Sequence, residues 1–383
     1  MARRGWLAAL AALAAAVAPG GAATKPYWGL SYSQGSATLH RVDPVRLTPH
    51  GTSLALGLFN ADSAFSPDGP TLALMARDRP VVRFVDLERM RGLGEARLAA
   101  EGEVHVLRWT ERGLVAVIDL PRGSKLVWLD PGQRRVTRVL RYRGELADFR
   151  LAAGRIAVLE WPGGRVGPVR LNVIDPDGRA RSIRVDRIRG GWQRNGSDVV
   201  RMAEPGLAID PAGERAWLAD ADGEICEVVL DSLAVRCNTV RTLAKSGAPW
   251  SRRQLKLVAD GTLALSGWEK PERGPRAARS IGLWTVDTST WRRRLVDRGI
   301  DSFRFAGGVV VGVRRNGVSA YDPTGALRYR IEEPLQLGGI STAGPYLYVP
   351  RTDGRTVVAD LATGRVLGRP PATARPFQEL DTW

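Results

Sequence analysis

Short runs of apolar residues, some strictly alternating with polar ones and some continuous, recur along the whole chain and end again and again in aspartate. Eight such runs stand out: LHRVD ending at Asp43, RFVD at Asp86, LVWLD at Asp130, LNVID at Asp175, CEVVLD at Asp231, LWTVD at Asp287, VSAYD at Asp322 and TVVAD at Asp360. The gaps between them are 43, 44, 45, 56, 56, 35 and 38 residues. A period near 45 built on strands rather than helix pairs predicts a β-propeller.

The surrounding grammar repeats as well. A turn and a strand precede each marker, as in SPDG then TLALMA (66–76) or VADG then TLALSGW (258–268). Another turn and strand follow, as in DPDG then RARSIRV (175–185) or DPTG then ALRYRI (322–331). Glycine supplies positive φ in such hairpins, and Asp and Pro preset the turn backbone, so the marker aspartates are read as turn formers rather than catalysts. No stretch after the N-terminal segment has the period of an amphipathic helix. Four-stranded units are expected at about 62–100, 101–143, 144–190, 200–245, 251–298, 299–335 and 336–371, with a shorter unit at 27–58. The expected fold is all-β, a propeller of four-stranded antiparallel blades, eight favoured and seven the alternative. The tail PFQELDTW (377–383) is expected to complete the first unit.

Ser66-Pro67-Asp68-Gly69 before an apolar strand resembles the SPDG turn of WD-repeat-like and TolB-type propellers. The stretches AIDPAGERAWLADADGEI (208–225) and VPRTDGRTVVADLATGRVLG (349–368) resemble YVTN and quinoprotein-like propeller repeats. The resemblance covers most of residues 27–371 at the level of the repeat and implies fold, not activity. The WD dipeptide of true WD repeats is missing at the marker positions, and there is no sialidase-type Asp box.

Arg3 and Arg4 precede an apolar stretch from Trp6 to Ala18 and then Pro19-Gly20-Gly21-Ala22-Ala23. This is the layout of a cleaved secretory signal over 1–23, which leaves 24–383 as a single propeller domain in the extracytoplasmic space, periplasmic if the host has an outer membrane. Arg3-Arg4-Gly5-Trp6-Leu7 also resembles a twin-arginine export motif. No cysteine adjoins the cut, so no lipid anchor is expected, and no second long apolar stretch predicts a transmembrane anchor.

The chain carries a net charge of +16, and +14 without the two leader arginines; nearly all its basic residues are arginine, with five lysines. That skew, with abundant Ala and Gly, points to a GC-rich bacterial genome. A basic surface attracts polyanions at low ionic strength. Export and the even scatter of arginine argue against nucleic acid, leaving an anionic cell-wall polymer, an acidic glycan or a protein as expected partners. The two cysteines, Cys226 and Cys237, flank an expected Asp231-Ser232 hairpin loop that would set them directly opposite one another, so a disulfide is expected in an exported chain.

The search for catalytic constellations is negative. His40, His50 and His105 stand in separate contexts, and there is no HExxH, GxSxG or P-loop signature. Asp220-Ala221-Asp222-Gly223-Glu224 is read as a hairpin turn rather than a calcium loop, and Asn195-Gly196-Ser197 as a loop. No metal and no cofactor are expected.

One pattern points to a site. Four expanded loops, 161–168, 188–203, 245–253 and 269–280, all leave from the same face of regular blades. Each carries or borders a tryptophan, Trp161, Trp192, Trp250 and Trp268, with arginines that include Arg165, Arg194, Arg252 and Arg273. Trp and Arg are the residues enriched at binding hot spots, although tryptophans also pin long loops to a scaffold. The function expected is therefore a binding or recognition module. The alternative is a propeller enzyme, lactonase-like or quinoprotein-like, with carboxylates in the central funnel.

Overall fold

A computed structural model describes residues 27–376 apart from 34–35, 58, 77–78, 100, 197, 241–248, 271–277, 336–338 and 372–374. The expected leader over 1–23 and the tail expected to complete the first unit, 377–383, lie outside the described residues. What is described consists of strands, turns and bends, with no helix. It is an all-β propeller of antiparallel four-stranded blades.

The expectation of eight blades, or seven, is corrected. Six sheets stand as separate four-stranded blades, and the other ten strands form one continuous sheet. The six begin at Tyr27, Phe59, Glu103, Gly206, Ser302 and Ser341. The ten-stranded sheet has four-strand stretches at its two ends, over 145–195 and 250–297, the latter with a short side strand, Arg279–Ser280. Its joint is the segment expected to be a loop at 188–203. The strand Ala180–Asn195 runs on for 16 residues, turns, and returns as Asp198–Glu204. That returning strand then pairs in parallel with the start of Trp250–Ala259. An edge strand with free N–H and C=O groups is a template for further pairing, and here the chain uses it on itself.

The ring closes through the C-terminal end, one step earlier than expected. Arg375 pairs with Leu30 and Pro376 with Gly29, giving the N-terminal sheet its fourth strand. The first and last sheets also pack together: Leu47 is buried with Ala343, Tyr348 and Val358, and Tyr348 Oη donates to the Pro44 carbonyl at 3.1 Å. Elsewhere too the core lies between neighbouring sheets. Ala73, Val82 and Phe84 of one sheet are buried with Leu107, Ala116 and Val127 of the next. Continuously apolar strands such as LALMA and VVVGV are those covered on both faces.

Six of the eight marker aspartates cap the turns they begin. Asp43, Asp86, Asp130, Asp287, Asp322 and Asp360 each accept a backbone N–H two to four residues on. The hydroxyl of Ser289 and then the backbone N–H and hydroxyl of Thr290 hold Asp287 down to about 2. The two exceptions, Asp175 and Asp231, share Arg155, whose Nε lies 2.9 Å from Asp175 and whose Nη2 donates to Asp231 at 2.7 Å. Arg181 also binds Asp175, at 2.8 Å. Burial pushes Asp175 up, but Arg181 and Arg155 outweigh it and hold the carboxyl below its ordinary value.

The disulfide forms in the expected register. Cys226 and Cys237 are direct cross-strand partners, with Cα atoms 4.0 Å apart and an S–S bond of 2.03 Å. The connecting turn is four residues, 230–233, rather than two, with Leu233 at φ 57°.

Candidate functional site

The first strands of neighbouring four-strand stretches lie in different ladders and do not pair with one another. Side chains supply hydrogen bonds between them. Arg150 Nε donates to the Leu207 carbonyl at 2.9 Å, and Arg304 Nε to the Ile340 carbonyl at 2.7 Å. Gln254 clamps Phe303 from both sides, Nε2 donating to its carbonyl at 2.6 Å and Oε1 accepting from its N–H at 3.1 Å. Trp109 Nε1 donates to Ala64 at 2.8 Å. Polar residues on these strands thus couple sheets whose backbones do not pair, as buried backbone polar groups require.

The ten-stranded sheet places the tryptophans by register. Trp192 is opposite Met202, Met202 beside Trp250, and Trp250 opposite Lys270. Two residues further along, Glu204 lies beside Arg252 and Arg252 opposite Trp268. Directly paired residues share a face, and so do residues two apart on a strand. Trp192, Trp250, Trp268 and Arg252 therefore lie on one face. Its tryptophans are half-buried and Arg252 is exposed, whereas Ala203, Ser251 and Arg253, on the opposite face, are buried. Arg253 is fully enclosed there and is paired with Glu269.

Trp161 joins the group from the side. Its ring lies 6.2 Å from that of Trp192, and it is 7% exposed. The strand bends over it at Gly190 and Gly191. A Cβ on Gly190 would come within 2.9 Å of the Trp161 indole, and one on Gly191 (φ 119°) within 2.4 Å of the Arg165 carbonyl. This Gly-Gly pair is what lets the long strand lie against the 161–168 loop. Arg165 and Arg194 are exposed at the rim, Arg194 near the hairpin tip. Arg273 lies outside the described residues. The described parts of the four expanded segments adjoin through these pairings and the Trp161–Trp192 contact, but they differ in kind: Trp161 is packed as a pin, and 188–203 is a strand pair rather than a loop.

Sequence reasoning missed the carboxylates beside Arg252 and Arg150. Glu204 pairs with Arg252 at 3.2 Å, and burial raises its pKa against the pull of Arg252. Asp148 is paired with the buried Arg150, and burial raises it too, with Arg150 and more weakly Arg252 opposing. The overlooked signal is the recurrence VLRWT, DFRLA and SFRFA, which puts one arginine at the same point of three inner strands, at Arg108, Arg150 and Arg304. Nearby, Asp220 is 3% exposed and accepts N–H groups of Arg189, Asp222 and Glu224. Burial nevertheless pushes it up to about 7. Its segment is a hairpin turn, as expected. Among the described residues no group of His, Cys, Asp and Glu is arranged to hold a metal ion. Nor is any helix there long and apolar enough to cross a membrane.

No protein-family model matches the chain, and no curated protein matches it in sequence. Among solved structures it is similar to BamB from Moraxella catarrhalis, at 18% identity and a TM-score of 0.54 over 79% of this chain and 85% of that one. It is similar to the dihydro-heme d1 dehydrogenase NirN in complex with DHE, at 15% identity and a TM-score of 0.61 over 92% and 75%. It is also similar to AztD from Citrobacter koseri, at 13% identity and a TM-score of 0.56 over 92% and 95%. At these identities the likeness is one of fold: the chain is a β-propeller.

Proposed function

We propose that this propeller is a binding module that works outside the cytoplasm and takes an anionic polymer, such as an acidic glycan or wall polymer, or an acidic protein segment, on the Trp/Arg face. The observation that carries the reading is the register that puts Trp192, Trp250, Trp268 and Arg252 on one face, with the buried Met202 between Trp192 and Trp250. Indole faces stack on sugar rings, and guanidinium groups pair with carboxylate or phosphate oxygens. The net charge of +16 would draw such a ligand in. A disulfide and a leader-like N-terminus fit an oxidising, exported setting.

The test is binding of mature protein to hyaluronate and to poly-L-glutamate. Trp250→Ala with Arg252→Gln should weaken binding at least tenfold while leaving the melting temperature within a few degrees. Affinity should also fall as salt rises, since exposed charges are screened beyond about 10 Å at 0.1 M. Wild-type retention by the double variant sinks the proposal.

A second reading rests on Glu204 and Asp148, two carboxylates held up by burial beside Arg252. Such a pair suits general acid–base hydrolysis, for example of a lactone. It requires lactone turnover that Glu204→Gln abolishes; no turnover by the wild type ends it.

A further inference from the structure

On the opposite face of the propeller, between the sheet of 103–142 and the adjoining end of the ten-stranded sheet, is a cleft of about 170 Å³. Its rim comes from the turn Thr110-Glu111-Arg112, from Arg138 and from the exposed Pro176, and its base from Trp128, Ile156 and Ile174. Ile156, Ile174 and Trp128 are buried, at 3, 3 and 7% exposure, so the base is rigid and apolar.

Two guanidinium groups converge at the rim. A Cβ on Gly178, which turns at φ 94°, would lie 2.6 Å from Arg138 Nη1 and 3.7 Å from Arg112 Nη1. Glycine here leaves the space that both side chains reach into. Arg138 also stacks over Trp128, its Cζ 4.9 Å from the ring centroid, which fixes its direction. The cleft's two acids do not balance this pair. Asp175 is held by Arg155 and Arg181, at 2.9 and 2.8 Å, so its charge is already countered from behind. Glu111 is exposed and sits toward Gly154, its Oε2 3.6 Å from where a Cβ there would be. The balance leaves one uncompensated positive charge above an apolar base.

We infer that this cleft is a binding site for a small organic carboxylate with a ring or short apolar body. The carboxylate would bridge Arg112 and Arg138, and the body would lie on Ile156, Ile174 and Pro176. Guanidinium pairs bind a carboxylate in this way with directional, charge-assisted hydrogen bonds. The volume admits one ring and not a polymer, so this site is separate from the Trp/Arg face and does not depend on it.

Isothermal titration with benzoate and glucuronate tests the site, with benzyl alcohol and glucose as neutral counterparts. The wild type should bind at least one of the two acids and neither counterpart. Arg112→Gln with Arg138→Gln should weaken acid binding tenfold or more at an unchanged melting temperature. If that variant unfolds, Arg112→Gln alone, at an exposed position, should still weaken binding severalfold. Trp250→Ala with Arg252→Gln on the far face should leave acid binding unchanged, and this separates failure here from failure of the polymer site. Absence of acid binding, equal binding of the neutral compounds, or binding indifferent to both arginines overturns the inference.

Discussion

The sheets outside 145–297 and the stretch within it obey different rules. Outside, each sheet has four strands, and its marker aspartate caps a turn, as Asp86, Asp130, Asp322 and Asp360 do. Within, Asp287 still caps, but Asp175 and Asp231 give up capping for Arg155. The outermost strand of one stretch runs on into a hairpin that pairs with the inner strand of another, and a disulfide staples the sheet between them. The scaffold repeats where it has only to close the ring. The departures fall at both ends of the stretch: the aspartate exchange beside the cleft of Asp175, and the extra strand pairing at the Trp/Arg face.

The comparison can be broken first at its heaviest joint. Trp161 is a pin and Trp250 belongs to the open face, so Trp161→Ala should cost about 3–4 kcal/mol in urea unfolding. Trp250→Ala should cost less than half of that. Equal costs would erase the distinction between pin and face. Reducing Cys226–Cys237 should cost at most about 2–3 kcal/mol without abolishing the fold, because the hairpin remains paired along both strands. Two free thiols in protein recovered from an oxidising compartment would contradict the bridge.

The two aspartate roles should separate next. Arg155→Ala strips Asp231, leaves Asp175 to Arg181 alone, and should cost about 2 kcal/mol, as for charge-assisted hydrogen bonds, against about 1 kcal/mol for Asp322→Ala in a plain turn. Four of the capping aspartates, Asp86, Asp287, Asp322 and Asp360, are held below their unfolded value of about 3.9, so they stabilise the fold above that pH. For Asp287 this contribution disappears as pH falls from about 4 through about 2. Asp220 has the opposite sign. Its folded value of about 7 lies above the unfolded one, so its contribution is greatest below about pH 4 and declines as pH rises to about 7. The amide shifts of Asp222 and Glu224 should titrate with a midpoint near 7; a midpoint near 4 would contradict the burial of Asp220.

Much of the fold was legible because period, strand and turn signals agreed at every repeat, as in DPTG before ALRYRI. The cysteine register was legible for the same reason, since cross-strand pairing is set by local geometry. The blade count was not. Gly190-Gly191 reads as a loop, yet its backbone freedom is what lets the long strand lie over Trp161, and the pairing of 202–204 with 250–252 is a non-local contact with no local signature. The tryptophans of the candidate site were visible by type. Their common face depends on that same pairing, and Asp148 and Glu204 are ordinary residues until the fold buries them.

Hydrogen–deuterium exchange with and without saturating hyaluronate locates the ligand on the ring. Protection is expected to concentrate in 188–204 and 250–253, with the strands of 302–331 unchanged. Protection spread evenly over the basic surface, or absent from 188–204, would contradict binding at the Trp/Arg face.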